Sequence, residues 1–170
     1  PSPFLRLLMT FLGLLLSVST FSQGDFCGTS EPFCTGSTAT FAAGVNVVRA
    51  DISEPGNHYG CIGQARNPAW YYMKIDKPGD LTIDMYNDGC VGGLGCDIDF
   101  ALWGPFSDLT DAIGSCGTLA PPLDCSFAPA ITETAVITGA QKNEVYILLV
   151  TNYGNQPTNI SFEANPSSTA

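Results

Sequence analysis

Four kinds of group in this chain could do chemistry: cysteines, closely spaced carboxylates, aromatic side chains and a histidine. The seven cysteines are Cys27, Cys34, Cys61, Cys90, Cys96, Cys116 and Cys125. None stands in a C-x-x-C pair and the chain has one histidine, so tetrahedral zinc ligation is poorly supported. That histidine, His58, lies in DISEPGNHYGCIGQARNP, a Gly-, Pro- and Asn-rich stretch with no G-x-S-x-G nucleophile elbow in the chain to accompany it. Asp97 and Asp99 are two apart in CDIDFALW and project to one side of an extended strand, with Asp84 and Asp88 candidates to lie nearby. Calcium takes about six to eight oxygen ligands, and such a pair beside a Gly-rich loop could supply some of them. The alternative is that both carboxylates accept hydrogen bonds from loop N–H groups. Acting as a glycosidase pair is excluded, because residues i and i+2 cannot flank one bond from opposite sides. Asn159-Ile160-Ser161 matches the N-glycosylation sequon.

The elements that must position these groups follow from period-two apolar patterns. In PAWYYMKIDKPGDLTIDMY, Tyr71, Met73 and Ile75 share one face of a strand while Trp70, Tyr72 and Lys74 share the other. The first set belongs to the core. Trp70 and Tyr72 are then either a stacking platform for a sugar or peptide, or the side of a sheet covered by a neighbouring loop. The turn at DKPGD predicts an antiparallel hairpin into a strand whose Leu81, Ile83 and Met85 point inward. Ile98, Phe100 and Leu102 set the next strand. VYILLVT, at 145–151, is apolar on both faces and reads as a central strand. Residues 159–164 bury Ile160 and Phe162. Residues 39–49 predict two short strands, and 107–113 one helical turn. About eight short strands separated by turns, with no long helical period, predict an all-β antiparallel sandwich or jelly roll with disulfide-stapled loops.

Compartment comes from the N-terminus and the cysteines. Arg6, an apolar run over 7–18 and small residues at 19–22 make a secretory signal peptide cleaved after Ser22, too short for the ~20 residues of a membrane span. The domain is expected over 23–164, with 165–170 starting a linker. All seven cysteines follow the leader, which in a secreted chain argues for disulfides. Short loops favour Cys90 with Cys96 and Cys116 with Cys125; Cys34 with Cys61 is the third choice, leaving Cys27 unpaired. The formal net charge is −10. The cations after the leader, Arg49, Arg66, Lys74, Lys77 and Lys142, form no basic patch for nucleic acid or anionic lipid. No second apolar span follows the leader.

The motifs YGCIGQARNPAWYYMKI, CDIDFALWGPF, LDCSF and VYILLVTNYGNQPTNISF resemble a domain of large secreted surface proteins of Bacteroidota, many of which end in gliding-motility or type IX secretion sorting domains. More distantly, WYYMKIDKPGDLTIDM and DIDFALW are similar to bacterial pre-peptidase C-terminal domains. The resemblance covers about 25–162. It implies a non-catalytic extracellular module that binds polysaccharide or protein beside further domains of the same polypeptide, or else an accessory domain of a secreted hydrolase, stabilised by calcium in some such domains. It also implies a further cysteine after the last strand, which would suit Cys27.

Overall fold

The computed structural model describes residues 24–34, 36–89 and 95–170. The expected leader lies outside them, as does Cys90 and with it the expected pairing to Cys96. Nine strands are present among the described residues: β1 (Glu31–Pro32), β2 (Ala39–Ala42), β3 (Pro68–Lys74), β4 (Gly79–Asn87), β5 (Ile98–Phe106), β6 (Asp124–Ser126), β7 (Thr132–Ala140), β8 (Val145–Asn152) and β9 (Asn159–Ala164). Two short helices, α1 (Ala50–Ser53) and α2 (Leu109–Gly114), and one 3-10 turn at Cys27–Thr29 complete the set. The strands form an all-β sandwich of two sheets, ordered β1-β3-β8-β5-β6 and β2-β9-β4-β7. All pairings are antiparallel except that of β1 with β3.

Side-chain alternation builds the core between the sheets. Tyr71, Met73, Ile98, Phe100, Leu102 and Leu148 from the first sheet meet Leu81, Ile83, Met85, Ile137, Ile160 and Phe162 from the second. The strand that is apolar on both faces is β8, and each of its eight residues is buried. It needs cover on its second face as well. That cover is a loop layer carrying Ala50, Tyr59, Ile62, Ala65, Ala112 and Leu119, packed on Trp70, Trp103, Ile147 and Leu149. The molecule is therefore three layers deep on the side of the five-stranded sheet and two layers deep elsewhere.

Two expectations change. The pair β3 and β4 is not a hairpin: β3 lies between β1 and β8, while β4 lies between β9 and β7 in the other sheet. Ile75 bonds on to the turn before β8, with Ile75 N–H donating to Glu144 O and Asn143 N–H to Ile75 O. The K-P-G-D turn then carries the chain across the core rather than back along the same sheet. Residues 39–49 form one strand, not two, because Asn46 adopts a left-handed φ of 57° that ends any extended run. Residues 165–170 are bonded to β4, through Asn165 N–H to Thr82 O and Thr169 N–H to Asp80 O.

The cysteine pairing also differs from the short-loop choices. Cys27 joins Cys116 and Cys61 joins Cys125, across sequence separations of 89 and 64 residues. Cys27 is thus paired, Cys116 and Cys125 are not joined to each other, and Cys34 is a free, exposed thiol. The reason is the loop layer. It brings the N-terminal 3-10 turn against the C-terminal end of α2, and the 58–64 loop against β6, with Cα–Cα distances of 5.6 and 6.1 Å. Cys96 is disulfide-bonded.

Candidate functional site

One end of the sandwich gathers the turns that precede β3, follow β8 and lead out of β2, and three asparagines hold them together. Asn67 Oδ1 accepts from Val47 N–H at 2.8 Å. Its Nδ2 donates to Asn152 O at 2.9 Å and to Asn155 Oδ1 at 3.0 Å. Asn155 Oδ1 also accepts from Asn46 N–H at 2.8 Å, and its Nδ2 donates to Asn46 Oδ1 at 2.9 Å. All three are left-handed, with φ of 57°, 47° and 54° for Asn46, Asn67 and Asn155. Asparagine tolerates this region better than other side-chain-bearing residues, and here each turn is locked by the amide of another. Gly154, next to this clasp, admits no Cβ, which would stand 1.7 Å from Gly95 O.

The clasp forms one wall of a concavity of about 300 Å³ lined by Asn46, Val47, Arg49, Arg66, Asn67 and Asn155. Its two arginines are held differently. Arg49, at the N-terminal boundary of α1, gives Nη2 to Asp51 Oδ2 at 2.6 Å. Asp51 Oδ1 in turn accepts Ala65 N–H at 2.9 Å, so this guanidinium is fixed and neutralised. Arg66 has no acid partner, the Arg49–Asp51 pair being the sole ion pair among the described residues. Its Nε and Nη2 donate to Gln64 Oε1 at 2.9 and 2.6 Å. Its guanidinium lies 4.7 Å from the centre of the Tyr153 ring, which Phe127 meets edge-on at 5.1 Å. The result is a planar cation held by an amide and an aromatic face, with its charge uncompensated.

The residues singled out from sequence fall elsewhere. Trp70 is fully buried in the loop-covered core, stacked on Trp103 with ring centres 5.5 Å apart, and flanked by a tilted Tyr59 ring at 6.3 Å. It offers no face to a ligand. Tyr72, partly buried, packs against the same cluster, so the two do not form an open platform. The covered-sheet alternative is what the structure contains. The physical cause is β8 and its neighbours, whose apolar outer face draws the loops over it.

Asp97 and Asp99 sit at the start of β5, at the same end as the clasp, with Gly154 N–H donating to Asp97 O at 3.0 Å. Asp97 Oδ1 accepts Ala130 N–H at 3.0 Å, the loop-bracing role expected for such a residue. Asp99 is 1% exposed and neither carboxylate oxygen has a hydrogen-bond partner. Burial, with Asp97 and Glu133 adding repulsion, pushes its carboxyl up to about 7. Glu133 is also raised, chiefly by burial, with Ser126 donating to it and opposing the shift. Among the described residues no group of three or more His, Cys, Asp or Glu is placed to hold a metal ion. Asp84 is spent on Thr134 and Asn165, and Asp88 on Ser161. His58 is exposed, its Nδ1 accepting Gly60 N–H at 3.1 Å.

Sequence reading missed Arg49, Arg66 and the three asparagines. The usable signal was the scarcity of cations: two of the five after the leader fall in the 49–66 loop, and Asn67-Pro68 marks a turn directly after them.

No protein-family model matches this sequence, and no curated protein matches it. Solved structures similar to it include the pre-peptidase C-terminal domain of a collagenase from Bacillus anthracis, at 13% identity and a TM-score of 0.46, covering 80% of this chain and 94% of that one. They also include CorA, a surface-associated copper-binding protein of Methylomicrobium album, at 8% identity and a TM-score of 0.45, covering 80% and 97%. Likeness at this level does not extend to function.

Proposed function

We propose that this chain is a non-catalytic, extracellular binding module of a secreted or cell-surface protein, with the expected leader at 1–22 taking it out of the cell. The module engages an extracellular polysaccharide or protein through the clasped end of the sandwich. One observation carries this reading: the hydrogen-bonded, left-handed asparagines hold a ready-made concavity whose one uncompensated charge, Arg66, has no acid partner among the described residues. Preformed polar concavities on rigid scaffolds are where ligands bind with the least ordering penalty. The disulfides, which tie the loop layer to itself and to β6, suit an oxidising compartment. Among the described residues no helix is long and apolar enough to cross a membrane.

The test is a binding survey of the purified protein against extracellular polysaccharides and surface proteins, by pull-down and then calorimetry. Binding that is lost in Arg66→Ala and in Asn155→Ala, with the melting temperature of each variant measured alongside, supports the reading. Binding that both variants retain in full places the ligand elsewhere and overturns it.

A further inference from the structure

We infer that the ligand at this site is a hydroxyl-rich chain carrying an isolated carboxylate, an acidic sugar residue in an otherwise neutral oligosaccharide. This deepens the binding reading and rests on it. The carboxylate partner follows from Arg66. A guanidinium presents donors in a planar fork that matches a carboxylate, and Gln64 occupies Nε and Nη2 from one side, leaving Nη1 unengaged by the described residues. Stacking on Tyr153 restricts the guanidinium plane, so little side-chain freedom remains to be lost on binding. Arg49 contributes no free charge, since Asp51 already holds it.

The sugar follows from the lining. Five of the six lining residues are polar, and Val47 is the one apolar side chain. A peptide terminus would bring an apolar or charged side chain with no pocket to take it, whereas ring hydroxyls suit the side-chain donors that the clasp leaves over, Asn46 Nδ2 and the second hydrogen of Asn155 Nδ2. The sparse charge follows from the whole molecule. A chain of net charge −10 repels a polyanion along its length, while one carboxylate seated on Arg66 meets the local cation first.

The experiment compares three probes on the full chain by isothermal calorimetry. They are an oligosaccharide carrying a single uronic acid residue, the same oligosaccharide after carboxyl reduction, and an oligoglutamate. The uronic acid probe should bind tightest, with affinity falling about tenfold to a hundredfold on carboxyl reduction or in Arg66→Ala. Arg66→Lys, which keeps charge but loses the fork, should fall between native and Arg66→Ala, and an unchanged melting temperature shows that each variant folds. Equal binding of the acidic and reduced sugars, still sensitive to Arg66→Ala, overturns the carboxylate inference and leaves the binding site standing. Binding of oligoglutamate alone overturns the sugar assignment. Absence of binding by all three probes, with a neutral polysaccharide or a protein bound through Arg66 instead, likewise overturns it. No binding at this end of the molecule by any ligand overturns both readings.

Discussion

At the scale of single residues, Asp99 and Trp70 show how burial decides what a side chain can do. Asp99 has an ordinary value of 3.8 and a folded one raised to about 7. Between those values the folded chain holds a proton that the unfolded chain has released, so stability falls as pH rises through that window and is fully reduced above it. Asp97 and Glu133 are raised as well, each chiefly by burial, and add in the same direction. Melting temperature should therefore climb as pH drops from about 8 to about 5, where most proteins of ordinary carboxylates gain nothing. Asp99→Asn should flatten that slope and raise the melting temperature at pH 8. A native melting temperature that falls over the same interval would refute the assignment. A melting temperature unchanged by added Ca²⁺ and by chelator would count against a calcium site at Asp97 and Asp99. Trp70→Ala empties a fully buried site and should cost about 3–5 kcal/mol in denaturant unfolding. Ligand affinity of the folded fraction should not change, since the ring contacts only the protein's own core. The tryptophan's burial was half legible: period two placed it on the outer face of its strand, but nothing local said which loops would lie over it.

At the scale of elements, strands were legible and their partners were not. Alternation in Leu81, Ile83 and Met85, or in Ile98, Phe100 and Leu102, reports which face is buried and holds whatever strand lies alongside. Pairing is a non-local property. The K-P-G-D turn has the residues of a hairpin and serves as a crossing between sheets, because the edges of β3 are filled by β1 and β8. The disulfides teach the same lesson, as short loops between cysteines suggested neighbours while the loop layer joined distant ones. Peptide mapping without reduction should yield Cys27–Cys116 and Cys61–Cys125, and Cys34 should react with a thiol reagent in the native state. Replacing Cys61 and Cys125 together by serine frees a closed segment spanning 64 residues of separation and should cost about 2–4 kcal/mol. A loss no larger than that of Cys34→Ser would mean that this bridge does not tie the loop layer down. The clasp was invisible for a related reason: its three asparagines come from loops up to 109 residues apart, and only the fold makes them neighbours.

At the scale of the whole molecule, charge is the property that composition states outright. Sixteen acids face six bases in the full chain, and among the described residues one ion pair forms. Six of the sixteen acids are exposed and nine half-buried, only Asp51 has a cation at ion-pair distance among the described residues, and the mutual repulsion of the acids is greatest in the compact state. Raising ionic strength from about 0.01 M to about 0.15 M shortens the screening length from about 30 Å to about 8 Å. That is enough to uncouple charges on opposite sides of the sandwich while leaving contacts such as Arg49–Asp51 partly intact. Melting temperature should therefore rise with salt, by about 2–4 °C for each kcal/mol of repulsion removed. The same rise should be smaller at pH 5 than at pH 8, because Asp99, raised to about 7, is then protonated and contributes less charge to screen. A scan of melting temperature over both variables separates the terms. If salt lowers the melting temperature at pH 8, attractive local contacts outweigh the global repulsion, and the surface acids are better paired than the single ion pair implies. A salt effect that does not shrink at pH 5 would mean that the repulsion comes from exposed surface acids alone, leaving the buried carboxylates to act only through their own desolvation.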